Sequence, residues 1–285
     1  MTLDTTIRKA YFPHGAAQAA SELMDSILSW TAGTGAAGGV VGLSGGIDST
    51  TVAYLCKFAF DAYNAQEQKS PLALHGLVLP SQANAVADAH DGTRVAELLQ
   101  IPYKVIPIEP IADKYVEALP DSLEQQFDRG NLYSEIRATV LSRYGAARNL
   151  RIMGTGNRDE DYVLGYFTKR GDGAVDNNVL GNLPKRLVRD LARHLGVPAD
   201  LVGRVSTAGL WEGQTDEKEL GYRYAQAEII QNGYDEGLTA QEIVAVTGFD
   251  PRIVGDVRNR HLNTAHKRQL PPVGQLTLAY GENNA

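Results

Sequence analysis

The chain has 285 residues, a length that fits one large α/β domain or a domain with a small appendage. Hydrophobic residues make up 43% and charged residues 21%, which argues against disorder, and a net charge of −7 argues against a broad nucleic-acid-binding face. A single cysteine, Cys56, excludes an intramolecular disulfide and a Cys-x-x-Cys site; with no apolar leader and no stretch near the ~18 apolar residues of a membrane span, the expectation is a cytoplasmic protein without nucleic-acid or membrane partners.

Ala16 to Trp30 places Ala, Leu, Met, Ile and Trp at helical spacing, which predicts an amphipathic helix. Gly33 to Gly39 reads as a loop, Val40 to Leu43 as a short buried strand, and the residues after Asp48 as a helix reaching about Tyr63. Cys56 falls in an apolar run of that helix and is expected to be buried. Leu72 to Leu79 and Tyr103 to Ile108 read as strands, with a helix from Asp88 to Leu99 between them. Asn131 to Asn149 reads as a helix and Leu150 to Met153 as a fourth strand ending at Gly154-Thr-Gly-Asn157. Strands alternating with helices predict right-handed crossovers, hence a doubly wound parallel sheet flanked by helices, with ligands at the strand C-termini.

Beyond Gly165 the pattern changes. Two polar, glycine-bearing loops, Gly171 to Asp176 and Gly209 to Asp216, flank a helix from Lys185 to Leu195 and read as lids or binding loops; Trp211 in the second faces either the core or a ligand. Residues 218–275 read as a small helical C-terminal extension of a single 1–285 domain, with turns at Gly233 and Gly248.

The sharpest chemical signal is Ser44-Gly45-Gly46-Ile47-Asp48-Ser49, set between a strand and a helix. Two glycines let backbone amides approach an anion at the positive end of a helix, and the serine hydroxyls add donors. Asp48 would repel a phosphate unless a cation lies between them, which makes it a natural Mg²⁺ ligand. The loop lacks the Gly-Lys-Ser/Thr ending of a Walker loop. It resembles instead the pyrophosphate loop of the N-type ATP pyrophosphatases, which split ATP between its α- and β-phosphates; the fold this implies is the adenine nucleotide α-hydrolase-like sheet.

Within that superfamily, four further stretches are similar to the ammonia-dependent NAD synthetase family: Gly154-Thr-Gly-Asn157, Gly165 through Asp176, Gly213 through Gly221, and His266-Lys-Arg268. The resemblance runs from about residue 20 to 275 and implies an amide-forming ligase. Such an enzyme adenylylates nicotinate adenine dinucleotide with ATP and replaces AMP with ammonia, giving NAD. The ATP contacts it implies are Gly42, Leu43, Ser44, Gly45, Gly46, Ile47, Asp48, Ser49, Thr155, Lys185 and Thr207, with Asp48 and Lys185 also catalytic. Asp48 and Glu160 are implied Mg²⁺ ligands, and Glu135, Arg137, Lys169, Asp172, Asp176, His266 and Lys267 line up with positions that hold the acid. A homodimer is implied, with ammonia arriving free or from a separate protein.

Three departures from the family pattern leave alternatives open. Ser134-Glu135-Ile-Arg137 stands where Ala-Arg-x-Arg is usual, so a carboxylate occupies an arginine position, an exchange worth on the order of 1–3 kcal/mol beside an anion. The stretch from Asn157 to Gly165 is one residue longer than usual, so the metal carboxylate is Glu160 counted from the front or Asp161 counted from the back. Asn177 and Val179 replace an apolar residue and a proline. The runner-up reading is therefore a related ligase acting on a different carboxylic acid.

Overall fold

The computed structural model describes residues 12–66, 69–82, 86–204 and 215–274. Helix α1 (Gly15–Thr31) and a short 3-10 turn lead into β1 (Gly38–Gly42), α2 (Ile47–Asn64), β2 (Ala73–Val78), α3 (Val86–Leu98) and β3 (Tyr103–Val105). Then follow α4 (Glu109–Ala118), α5 (Gln126–Ala146), β4 (Leu150–Gly154), a π-helical turn (Asp159–Leu164) and the two-residue β5 (Asn177–Asn178). The rest is helical: α6 (Lys185–His194), α7 (Ala199–Val202), α8 (Asp216–Leu220), α9 (Tyr224–Asp235), α10 (Ala240–Thr247) and α11 (Pro251–Asn263).

The strands pair in the order β3-β2-β1-β4-β5, all parallel, with Val40 beside His75 on one side and Ile152 on the other. From β1 the chain winds outward through β2 and β3, then returns to the other side of β1 as β4. The expected doubly wound sheet is thus present, and its switch point lies between β1 and β4, where a crevice opens at the strand C-termini. The loop after β1 carries Ser44 to Gly46 and the loop after β4 carries Thr155 to Asn157, so both motifs open onto that crevice.

β1 begins at Gly38, earlier than the apolar run indicates, because the sheet needs its small residues. A Cβ on Gly39 would lie 2.4 Å from the Met153 side chain of β4, and one on Gly38 would strike the Ala73 backbone. One face of the sheet buries Val41, Leu43, Val52, Leu55, Cys56, Val188 and Leu191 under α1, α2 and α6. The other buries Val40, Leu77, Leu132, Ile136 and Ile152 under α4 and α5. Cys56 is fully buried, and burial pushes its thiol well above the ordinary range, as an inert core position requires.

A third apolar cluster joins the π-helical turn to α8–α11 through Val163, Leu164, Tyr224, Ile230, Ile243 and Val254. Its helices start where the sequence supplies caps. Thr239 and Glu242 form a reciprocal capping box on α10, and Asp250 accepts from Arg252 N ahead of Pro251 on α11. Among the described residues no helix is long and apolar enough to cross a membrane.

Candidate functional site

A cavity of about 330 Å³ lies at the switch point. One wall is the β1–α2 loop: Gly42, Leu43, Ser44, Gly46, Ile47, Asp48 and Ser49 all line it, as does Thr155 after β4. The loop is held from inside by its serines. Ser44 Oγ sits 3.0 Å from Ser49 Oγ and accepts from Gly46 N at 3.2 Å, while Ser49 Oγ accepts from Ser44 N at 3.3 Å. Gly45 takes φ +77°, a left-handed conformation that suits glycine. It is turned outward, where a Cβ would lie 2.6 Å from Asp88 O. The loop amides thus stand at the N-terminus of α2, where a phosphate is stabilised by unpaired N–H groups and the helix dipole.

At the centre of the site Lys185 Nζ donates to Asp48 Oδ2 at 2.5 Å and to Glu160 Oε1 at 2.8 Å. Lys185 is only 4% exposed, so this is a desolvated triad rather than a surface pair. Burial alone would lower the lysine pKa, but Asp48 and Glu160 outweigh it and hold the ammonium firmly charged. Glu160 is pushed upward by burial, with Lys185 opposing the shift. Three elements bring these groups together: the start of α2, the π-helical turn and the start of α6.

Asn157, fully buried, ties the first two elements. Its Nδ2 donates to Asp48 Oδ1 at 3.2 Å, and its Oδ1 accepts from Asp159 N at 3.0 Å and Glu160 N at 3.1 Å. Asp159 ties the third, accepting from Lys185 N at 2.9 Å in place of the cap that Pro184 cannot provide.

The expected acid-binding residues divide. Arg137, Asp172 and Lys267 line the cavity. Arg137 Nε donates to Leu79 O at 3.0 Å and Nη2 to Ser81 Oγ at 3.1 Å; burial lowers its pKa to about 10, so it stays charged at neutral pH. Asp172 accepts from Ser134 Oγ at 2.8 Å and Thr168 N at 2.9 Å, and desolvation raises its carboxyl. Lys267 Nζ donates to Gly165 O at 2.9 Å and Phe167 O at 2.6 Å.

The others stand elsewhere. Glu135 is exposed on α5 and does not line the cavity, so the charge reversal expected there falls outside it. Asp176 Oδ2 accepts from Ile152 N at 2.7 Å and supports β4. Lys169 Nζ is tied to the carbonyls of His266 and Gln269, at 2.5 and 2.9 Å. His266 is itself exposed, with Nδ1 3.1 Å from Asn263 O. Thr207 and Trp211 lie outside the described residues.

Five further residues line the cavity: Ser134, Tyr166 and Glu219, which stand inside the quoted motif stretches without an assigned role, and Phe127 and Arg204, which lie outside them; Tyr166 OH donates to Glu219 at 2.6 Å. Ser134 was within reach: Asn131, Ser134, Ala138 and Leu141 are spaced along one helical face, and that face lines the cavity.

A parallel sheet with an anion loop at its switch point, and a buried lysine bridging two carboxylates beside it, defines a nucleotide-dependent α/β ligase of the ATP pyrophosphatase type. Comparison with known proteins agrees and narrows it. The NAD synthase family profile matches residues 19–271. The NH3-dependent NAD+ synthetase of Hyperthermus butylicus is 39% identical over 255 residues, covering 89% of this chain and 88% of that protein. That of Halobacterium salinarum is 41% identical over 257 residues, covering 88% and 92%. Among solved structures, NMN synthetase from Francisella tularensis superposes with a TM-score of 0.77 at 29% identity over 92% of this chain and 99% of that one. The NH3-dependent NAD synthetase from Campylobacter jejuni gives 0.72 at 26% identity over 91% and 99%. The chain belongs to the NAD synthase family, whose members are ATP-using ligases that form a carbon–nitrogen bond.

Proposed function

We propose that the protein amidates nicotinate adenine dinucleotide to NAD with ammonia, through an acyl-adenylate, releasing AMP and pyrophosphate. The observation that carries the reading is the Lys185–Asp48–Glu160 triad beside the Ser44–Ser49 loop, in a chain that aligns along most of its length with NH3-dependent NAD+ synthetases. An acid carboxylate oxygen attacks the α-phosphorus of ATP, and the bond to the β-phosphate oxygen breaks. Loop amides and the Lys185 ammonium stabilise the charge that collects on pyrophosphate. Ammonia then attacks the acyl carbonyl, loses a proton and expels AMP. The acid lies toward Arg137, Asp172 and Lys267, whose guanidinium and ammonium suit an anionic dinucleotide.

Asp48 and Glu160 are the residues we assign to Mg²⁺. Their fit rests on donor chemistry: two hard carboxylates already share one cation, the Lys185 ammonium. Asp161 has another setting, accepting from Asn178 Nδ2 at 2.5 Å and lying over Gly156. When bound, the ion would neutralise pyrophosphate charge alongside Lys185. We further assign a cytoplasmic homodimer. Ile111, Tyr115, Leu119 and Phe127 are 38–58% exposed along α4 and the start of α5, an apolar strip that a second copy would cover.

The test is release of AMP and pyrophosphate with ATP, Mg²⁺, ammonium and nicotinate adenine dinucleotide, the product being identified by mass. Nicotinate mononucleotide is the second acid to offer, since a solved neighbour is named NMN synthetase. NAD as product supports the reading. AMP release with only the mononucleotide would replace the substrate and keep the chemistry, and no AMP with either acid would overturn it.

A further inference from the structure

We propose that Arg204, on the cavity wall beside the ATP loop, is a positioning residue that holds the loop at Gly45 and cancels the acidic charge of Asp88 and Asp91. The inference rests on the ATP reading of that loop and adds a residue that neither the loop motif nor the family resemblance assigns. Arg204 follows α7, 159 positions from the loop in sequence, yet its Nη1 donates to Gly45 O at 2.9 Å. The same nitrogen donates to Asp91 Oδ2 at 2.6 Å, and Nη2 donates to Asp88. One guanidinium thus clasps the turning point of the loop to two carboxylates on the first turns of α3.

The geometry at Gly45 shows why a hold on its carbonyl matters. With φ +77° and no room for a Cβ, this residue sets the turn that presents the amides of its neighbours to the cavity. The serine hydroxyls brace the inner side of the loop, whereas the Gly45 carbonyl points away from them to Arg204. A planar fork with five donors can serve a carbonyl and two carboxylates at once; an ammonium on a flexible stem cannot hold all three in fixed directions.

The charges add a second role. Asp88 lines the same cavity as the loop and Asp91 shares its arginine, and the side chains of Arg204, Asp88 and Asp91 are 21%, 14% and 22% exposed. Screening by water is therefore partial. Without the arginine, two carboxylates would stand unneutralised beside the incoming pyrophosphate. With it, one negative charge remains. The arginine cation is committed to these partners, so it acts on ATP through the loop and through charge balance.

Three variants test this by nucleotide binding and steady-state kinetics. Arg204→Met should weaken binding of α,β-methylene-ATP with Mg²⁺, measured by calorimetry, about tenfold or more. It should leave kcat at saturating ATP and KM for the acid within about threefold. Adding Asp88→Asn and Asp91→Asn to Arg204→Met should recover a large part of the lost affinity, because the repulsion is gone. Should Arg204→Met fail to fold by circular dichroism, Arg204→Lys carries the test, with ATP affinity down about threefold or more and kcat retained.

Unchanged nucleotide affinity in Arg204→Met, or a fall in kcat without a fall in affinity, would overturn the proposal. So would failure of the added Asp88→Asn and Asp91→Asn changes to restore any affinity to Arg204→Met, since the two carboxylates would then exert no repulsion on the nucleotide. Calorimetry needs no turnover, so the result stands apart from whether any acid yields AMP.

Discussion

Replacing Asp159 with Asn should make the protein more stable relative to wild type as the pH rises, and the reason lies in one buried carboxyl. Asp159 is 1% exposed. Its Oδ2 accepts from Lys185 N at 2.9 Å, and its Oδ1 has no hydrogen-bond partner among the described residues. Desolvation raises its pKa from the ordinary 3.8 to about 7, against the lowering effect of the Lys185 amide. Because the folded value lies above the unfolded one, no penalty exists where both states are protonated. As the pH climbs from about 4 to about 7 the unfolded chain ionises while the folded chain keeps its proton, and stability falls by ~1.4 kcal/mol per pH unit. Above about 7 both states are ionised and the loss is complete.

Asparagine keeps an acceptor for the Lys185 amide and cannot ionise. Subtracting the variant from wild type cancels the shifted carboxyls that both share, among them Asp161 and Asp172. Between about pH 5 and pH 8 the difference in unfolding free energy should therefore move toward the variant by ~3 kcal/mol. Its absolute sign also depends on ~1–3 kcal/mol for the new amide N–H₂ if it lacks a partner, so the slope is the diagnostic. Urea unfolding followed by circular dichroism at fixed ionic strength measures it, provided the m-value is unchanged. A difference that stays flat across that range, or moves toward wild type, would refute a desolvated Asp159. Asp159→Ala, which leaves the first amide of α6 without its acceptor, should cost about 1–3 kcal/mol even where the carboxyl is protonated.

Lys185→Met removes the cation between Asp48 and Glu160 and should lower AMP release at saturating ATP about 10²–10³-fold in a folded protein. Activity within tenfold of wild type would mean the ammonium does not meet developing charge. Gly45→Ala forces a side chain into a left-handed turn 2.6 Å from the Asp88 carbonyl, a backbone atom that cannot swing aside. A stability loss of about 1–3 kcal/mol and lost nucleotide binding should follow, and a thermal melt and binding curve matching wild type would sink the strain argument. Ser134→Ala removes the hydroxyl that donates to Asp172 at 2.8 Å and accepts from Asp172 N at 3.0 Å. KM for the acid should rise about three- to tenfold with KM for ATP unchanged; equal changes in both would place Asp172 outside acid binding.

The layered fold was legible because its signals are local: short apolar runs, each followed by an amphipathic stretch or a glycine turn. What escaped was decided by partners distant in sequence. β5 is two asparagines with no alternation to read, and it exists because β4 offers an edge at Met153 and Gly154. The helix Glu109–Ala118 keeps Ile111 and Tyr115 substantially exposed, so its apolar pattern does not trace a single buried face. Arg204 needed the folded path from α7 back to Gly45. Glu135 shows the converse: a linear match lines it up with a substrate contact, whereas within one chain the neighbouring Ser134 faces the cavity and a step of ~100° along α5 turns Glu135 to the surface.

The stretch between Asn157 and Gly165 makes the same point beside Lys185. Spacing alone leaves Glu160 and Asp161 equivalent, one counted from each end. The stretch forms a π-turn over Asp159–Leu164, closed by Gly165 N donating to Glu160 O five residues back, with Gly165 in the left-handed conformation at φ +59°. In that turn three consecutive carboxylates leave in three directions. Asp159 goes down to the start of α6, Glu160 into the cavity to meet Lys185, and Asp161 sideways to Asn178 over Gly156. Asn157 pins the turn at its beginning and Gly165 at its end. The direction of each carboxylate is a property of that pinned turn, and counting along the sequence cannot supply it.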